Sequence, residues 1–202
     1  MTLPADRLRV FIAAKLYPAK GVRALLALLE PQLGNRIIMD IAGDGEEEAM
    51  LRQRYRQVSF HGWQSMEETL KLAMRAQVIV VPSVCEEACS TTVLEGLLLG
   101  KTVFALRRGG TPELEIYASR PDQLRLYEHL EDLASALRDF TPRADCVVSP
   151  QAPADASHAA GRLLALYSLP PGPIANHTMS GLDPWQSAST KTRHPVGQRS
   201  AS

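Results

Sequence analysis

The run Val78-Ile79-Val80-Val81, stopped by Pro82-Ser83, constrains this chain most. Four consecutive apolar, β-branched residues leave no polar face for solvent, so the run fits a strand buried on both sides within a parallel sheet. A helix reads from Thr91 to Leu99, with Val93, Leu94, Leu97 and Leu98 as its apolar positions and Ser90, Thr91 and Thr92 as hydroxyl-bearing N-cap candidates. Ligands of open α/β sheets gather past the carboxyl ends of the strands. There the free amides and positive dipole end of such a helix would face an anion.

Similar units precede and follow. Leu8 to Leu16 reads as a strand; Val22, Leu25, Leu26 and Leu29 step at helical spacing; Arg36 to Ala42 reads as a second strand. After Asp44-Gly45, Met50, Leu51 and Tyr55 suit a helix, Val58 to Phe60 a strand, and Met66, Leu70, Ala73 and Met74 another helical face. Thr102 to Leu106 is a further buried strand, Gln123 to Tyr127 an edge strand, and Leu130, Leu133 and Leu137 share one helix face. This alternation predicts an α/β fold with a doubly wound, mainly parallel sheet. Residues 1–169 are read as one domain, with a Pro- and Ala-rich linker over 141–155 and a short helix over 157–167 that caps the domain or meets a partner. Pro170 to Ser202, rich in Pro, Ser, Thr and Gly, is expected to be a disordered tail.

At 202 residues the chain suits one sizeable core, or two small ones. Its 22 basic and 22 acidic residues balance, so no whole-molecule field argues for nucleic acid or an anionic membrane. Cys85, Cys89 and Cys146 form no paired CxxC, and no histidine cluster completes a zinc site. Reduced thiols and a cytoplasmic location are expected, with no metal. No apolar run approaches the length of a membrane span, and the start shows no signal-peptide pattern.

The chemistry-bearing residues sit where strand ends converge. Lys15 ends the first strand and Lys20 precedes the next helix, so both could approach a diphosphate as point charges. Glu87 lies in the loop before the Thr91 helix and Glu95 about one turn inside it. Carboxylates only accept hydrogen bonds, which suits sugar and ribose hydroxyls, and a bond of that charged kind contributes about 1.5–3 kcal/mol. Taken alone, each of these residues is more often a solvated surface charge.

In order and spacing, however, they resemble a family. Pro82-Ser83 through Glu87, seven residues, then Glu95, Gly100, Val103, Gly109-Gly110 and Glu113, together with Ala14-Lys15-Leu16, Lys20-Gly21, Ile41-Ala42-Gly43-Asp44-Gly45 and Val58 to Gly62, resemble the C-terminal, donor-binding domain of GT-B glycosyltransferases of the retaining family 4 type. The resemblance spans about residues 8 to 140 and implies a Rossmann-like half of a GT-B enzyme. It implies that Glu87 contacts the donor sugar and is the catalytic position. Glu95 would hold the ribose, the amides of Ser90, Thr91 and Thr92 would approach sugar and diphosphate, and the base would pack near His61-Gly62-Trp63, giving Gly62 a donor-binding place. His61 itself reads as a loop residue rather than a catalyst, and Asp44 and Glu113 as turn or cap residues.

The same resemblance implies a hexosyltransferase using a UDP-, GDP- or ADP-sugar as co-substrate, without a further cofactor, and acting on a glycan or lipid-linked acceptor. An acceptor-binding domain or subunit would be needed for activity, and any peripheral membrane contact would come through that half. Departures are Ala88-Cys89-Ser90 where the family often has Gly-Phe-Gly, Lys15 for Arg, and Gly100-Lys101-Thr102 for Gly-x-Pro. Lys lacks the two-pronged grip of Arg, and Ser90 narrows the space for a sugar. Two alternatives stay open: a non-catalytic interaction module or truncated fragment, and an epimerase-like enzyme acting on sugar nucleotides.

Overall fold

Every strand in the computed structural model, which describes residues 7–141, belongs to one parallel sheet ordered β3-β2-β1-β4-β5-β6. The strands are β1 (Leu8–Ala13), β2 (Ile37–Ala42), β3 (Ser59–Gly62), β4 (Val78–Val81), β5 (Thr102–Leu106) and β6 (Leu124–Tyr127). Between them run α1 (Val22–Leu29), α2 (Glu48–Arg54), α3 (Met66–Arg75) and α4 (Thr91–Leu98), and α5 (Leu130–Asp139) follows β6. Each neighbouring pair is parallel, as crossover helices require.

The apolar runs follow from burial on both faces. Val10, Ile12, Val78, Val80, Phe104 and Leu106 pack with residues of α1, α2 and α5 on one side. Phe11, Ile79, Val103 and Ala105 pack with residues of α3 and α4 on the other. β4 and β5 therefore match their predicted bounds residue for residue.

Departures from the sequence reading occur where pairing, not composition, decides. β1 stops at Ala13, although Ala14 and Leu16 still donate to Ala42 and Asp44 carbonyls at 3.0 and 2.7 Å in an irregular continuation. β3 starts and ends later than predicted, because its register with β2 shifts between Phe60 and Gly62 and leaves His61 as an extra residue. His61 is thus a strand residue, correcting its reading as a loop residue. A 3-10 helix over Thr111–Tyr117, with Pro near its start, was not foreseen. The linker beyond Thr141, the helix at 157–167, the domain boundary at 169 and the tail from Pro170 lie outside the described residues.

The strand order reverses between β1 and β4. Connections leave these two central strands toward opposite flanks, opening a crevice at their carboxyl ends. Lys15 and Lys20 follow β1, and Ser83 to Glu87 follow β4, so the fold places both segments at that crevice.

Candidate donor-binding site

Two loops meet at the switch point and are stitched together. Gly21, at φ 69°, turns the chain into α1 so close to the end of β4 that a Cβ there would lie 2.1 Å from the Pro82 carbonyl oxygen. Only glycine fits this approach. Beside it the Val84 N–H donates to the Ala19 carbonyl at 3.0 Å. From the other flank, Gly109 and Gly110 press on the acid loop: the Gly110 N–H donates to the Glu87 carbonyl at 2.8 Å, and a Cβ on Gly109 would lie 2.2 Å from that oxygen. Glu86, the neighbouring exposed acid, accepts the Gly109 N–H and so helps hold the loop.

Inside this clamp Lys20 forms an ion pair with Glu87. Ser83 Oγ donates to Glu87 Oε1 at 2.9 Å, Ser83 Oγ and Cys85 Sγ lie 3.0 Å apart, and Cys85 Sγ stands 3.6 Å from Glu87 Oε1. Burial pushes the Glu87 carboxyl up, but hydrogen bonds from Lys20 and Ser83 outweigh it and hold the group below the usual carboxylate range. The hydrogen bond to Glu87 raises Lys20 against a smaller effect of burial. Lys20 is 29% and Glu87 24% exposed at the side chain, so the pair remains open to a ligand.

Glu95 differs. It lies on α4, half-buried, and its carboxylate has no hydrogen-bond or ion-pair partner among the described residues. Burial alone raises it above the ordinary carboxyl range. An acceptor left in this state suits incoming hydroxyl donors.

Ser90 occupies the N-cap position of α4, yet its side chain makes no capping hydrogen bond; its carbonyl accepts the Val93 and Leu94 N–H groups at 3.1 and 3.2 Å. The hydroxyl is therefore not the cap that the sequence suggested, and the Ser90 side chain is buried. Thr91 begins the helix, and Thr92 Oγ1 donates to the Ala13 carbonyl at 3.4 Å, which joins α4 to the end of β1.

Lys15 does not join the Lys20–Glu87 cluster. It pairs with Asp44 at 2.6 Å, both side chains about half exposed, and that partner raises Lys15. Gly62 ends β3 at φ 70°, two strands from β1, and its carbonyl accepts the Gly43 N–H at 2.7 Å; Trp63 beside it is 69% exposed. His61 Nε2 lies 2.8 Å from Asp40 Oδ1, while Arg9 binds the other oxygen at 2.9 Å, so His61 is tied into a cross-strand polar row.

Lys101, part of the departure at Gly100-Lys101-Thr102, is buried at 4% exposure and donates to the Met74 and Ala76 carbonyls at 2.6 and 2.7 Å. It satisfies the end of α3 and has no place at the site. The partners missed in the sequence were Ser83 and Cys85. Their signal was proximity in the chain to Glu87, which a loop alone does not convert into contact. Among the described residues no group of three or more His, Cys, Asp or Glu could hold a metal ion, and no helix is long and apolar enough to cross a membrane.

Comparisons with known proteins agree with this fold. The structure is similar to that of Anabaena HepE in complex with UDP and glucose, at 22% identity and a TM-score of 0.54, covering 82% of this chain and 49% of that one. It is also similar to a point mutant of S. aureus TarM crystallised with fondaparinux, alpha-GlcNAc-glycerol and UDP, at 14% identity and a TM-score of 0.53, covering 81% and 36%. The catalytic domain of the cholesterol-alpha-glucosyltransferase from Helicobacter pylori matches at 12% identity and a TM-score of 0.51, over 80% of this chain and 99% of that one. The chain thus spans about half the length of HepE and about a third of TarM. No curated protein matches the sequence. A family model described as glycosyl transferases group 1 matches residues 7–142, most of the chain, and the chain belongs to that family.

Proposed function

We propose that this chain is the donor-binding half of a retaining glycosyltransferase, which holds a nucleotide-diphosphate sugar for transfer of a hexose to a glycan or lipid-linked acceptor. The observation that carries the reading is a cation-bound acid and an unpartnered one on the same strand–helix connection at the topological switch point: Glu87, paired with Lys20, in the loop before α4, and Glu95 about one turn into α4. Lys20 supplies positive charge for a diphosphate, with the first amides of α4 as a second anion-binding element. Glu95 accepts the ribose hydroxyls, Glu87 contacts the sugar, and the backbone at Gly62 with Trp63 lies against the base. Lys15, joined to Asp44, adds a weaker cation at the rim.

HepE and TarM were crystallised with UDP, which supports a nucleotide-sugar ligand for the shared fold. UDP-, GDP- and ADP-sugars are the candidate co-substrates, and no metal is assigned a role. During transfer Lys20 and the α4 amides take up charge on the leaving diphosphate while Glu87 fixes the sugar, so that the incoming hydroxyl can attack from the face the diphosphate leaves. Its proton passes to a diphosphate oxygen as the bond from the anomeric carbon to the diphosphate breaks. Alignment of that hydroxyl and exclusion of water require an acceptor-binding domain or subunit across the crevice.

Thermal unfolding of the full chain with UDP, GDP, ADP and their hexose conjugates tests the reading. A ligand at 100 times its dissociation constant adds about 2.7 kcal/mol of stability. A shift selective for one base, lost in Glu95→Ala and Lys20→Ala, is expected; no shift with any of them in a folded sample contradicts it.

A further inference from the structure

We propose that Ser83 and Cys85 are positioning residues that, with Lys20, lock Glu87 Oε1 and leave Oε2 alone to accept a hydroxyl of the donor sugar. The proposal rests on the donor-site reading above.

Proton counting gives the direction of the lock. Glu87 Oε1 takes the Lys20 ammonium and the Ser83 hydroxyl, the latter at 2.9 Å, while Oε2 has no partner among the described residues. A carboxylate oxygen has two lone pairs, so Oε1 is filled by these two donors. Ser83 has one hydroxyl proton, and that bond uses it. The 3.0 Å contact between Ser83 Oγ and Cys85 Sγ is then made by the thiol proton, which fixes a chain from Cys85 to Ser83 to Glu87. The longer 3.6 Å approach of Cys85 to Oε1 is secondary.

Ser83 is 7% exposed and stands two residues past β4, so its hydroxyl is held by the sheet and not by a mobile tip. The Gly109–Gly110 clamp fixes the Glu87 backbone from the other side. With backbone and Oε1 both held, the carboxylate oxygen free to read a sugar hydroxyl is Oε2. Lys20 shares its charge between Glu87 and the proposed diphosphate, which couples sugar and phosphate recognition in one cluster.

The test is the ratio of dissociation constants for a nucleoside diphosphate and its glucose conjugate, by calorimetry on the full chain, with the UDP, GDP and ADP pairs as probes. Removing a hydrogen bond to a charged group in Ser83→Ala should move that ratio against the sugar conjugate about ten-fold. Cys85→Val should move it in the same direction by less, and Cys85→Ser, which retains a hydroxyl donor, should restore it. The nucleotide affinity of each variant reports that the site is folded. A ratio unchanged in both Ser83→Ala and Cys85→Val, with nucleotide binding retained, overturns the positioning role. Failure of the wild-type chain to bind any of the probes overturns the donor-site reading itself.

Discussion

The two acids of the β4–α4 unit, Glu87 and Glu95, show opposite solutions to the same problem. Glu87, in the β4–α4 loop, is held by Lys20 and Ser83 and lies below the ordinary carboxyl range. Glu95, inside α4, has no such support among the described residues and is pushed up by burial. Burying a carboxylate costs free energy unless it is paired. At Glu87 the protein offsets that cost itself; at Glu95 no side chain among the described residues offsets it. One acid is organised by its own surroundings, and the other is, on the proposed reading, completed by a ligand.

This division is upset most easily through the clamp. Gly109→Ala puts a Cβ against the Glu87 carbonyl at φ 49°, and strain of that kind costs about 1–3 kcal/mol, with displacement of the acid loop added to it. A clear fall in Tm together with loss of nucleotide-induced stabilisation is expected. Retention of both would mean that the loop is not held from β5.

Next is the cation. Lys20→Ala leaves Glu87 half-buried without its ion partner, costing about 1–2 kcal/mol after allowance for solvent screening at a partly exposed pair. Urea unfolding at neutral pH would measure it, and an unchanged midpoint would show that Ser83 and solvent suffice.

The two acids also part in their response to pH. Glu87 is depressed in the folded state, so its contribution is present above the unfolded carboxyl value and is lost as pH falls through the folded one. Glu95 is raised, so the folded chain binds more protons between the unfolded value and the raised one, and stability falls as pH rises through that window. Glu87→Gln should therefore be less stable than wild type at pH 7, with the gap closing in acid. Glu95→Gln should be more stable than wild type at pH 7, with its advantage vanishing below the ordinary carboxyl value of 4.5. Urea midpoints across about pH 3–7 read both, and gaps of the same sign would remove the distinction.

The smallest effect is expected at the rim. Lys15 and Asp44 are both about half exposed, and such pairs contribute little. Lys15→Ala should leave the ligand-free Tm unresolved from wild type and weaken nucleotide binding less than Lys20→Ala does.

Much of this was legible in the sequence. The run at Val78 to Val81 identified a doubly buried strand, since β-branched residues have nowhere else to go and Pro82 ends the ladder. The extra residue at His61 was not legible, because a bulge is a property of two paired strands. The likeness of the motif series brought Lys20, Glu87 and Glu95 to attention, but composition does not pair Lys20 with a residue 67 positions away. Nor could it show that the Ser90 hydroxyl leaves the α4 cap unfilled, or that Lys101 turns into the core to hold the end of α3. Each depends on where helices settle on the sheet.

The most direct measurement is calorimetric titration with the nucleoside diphosphate that stabilises the chain and with its 2′-deoxy counterpart, in wild type and Glu95→Ala. Wild type is expected to prefer the ribose form about ten-fold or more, and Glu95→Ala to bind both alike. Equal binding of the two forms by wild type, or an undiminished ribose preference in the variant, would contradict the claim that Glu95 waits for a ligand hydroxyl.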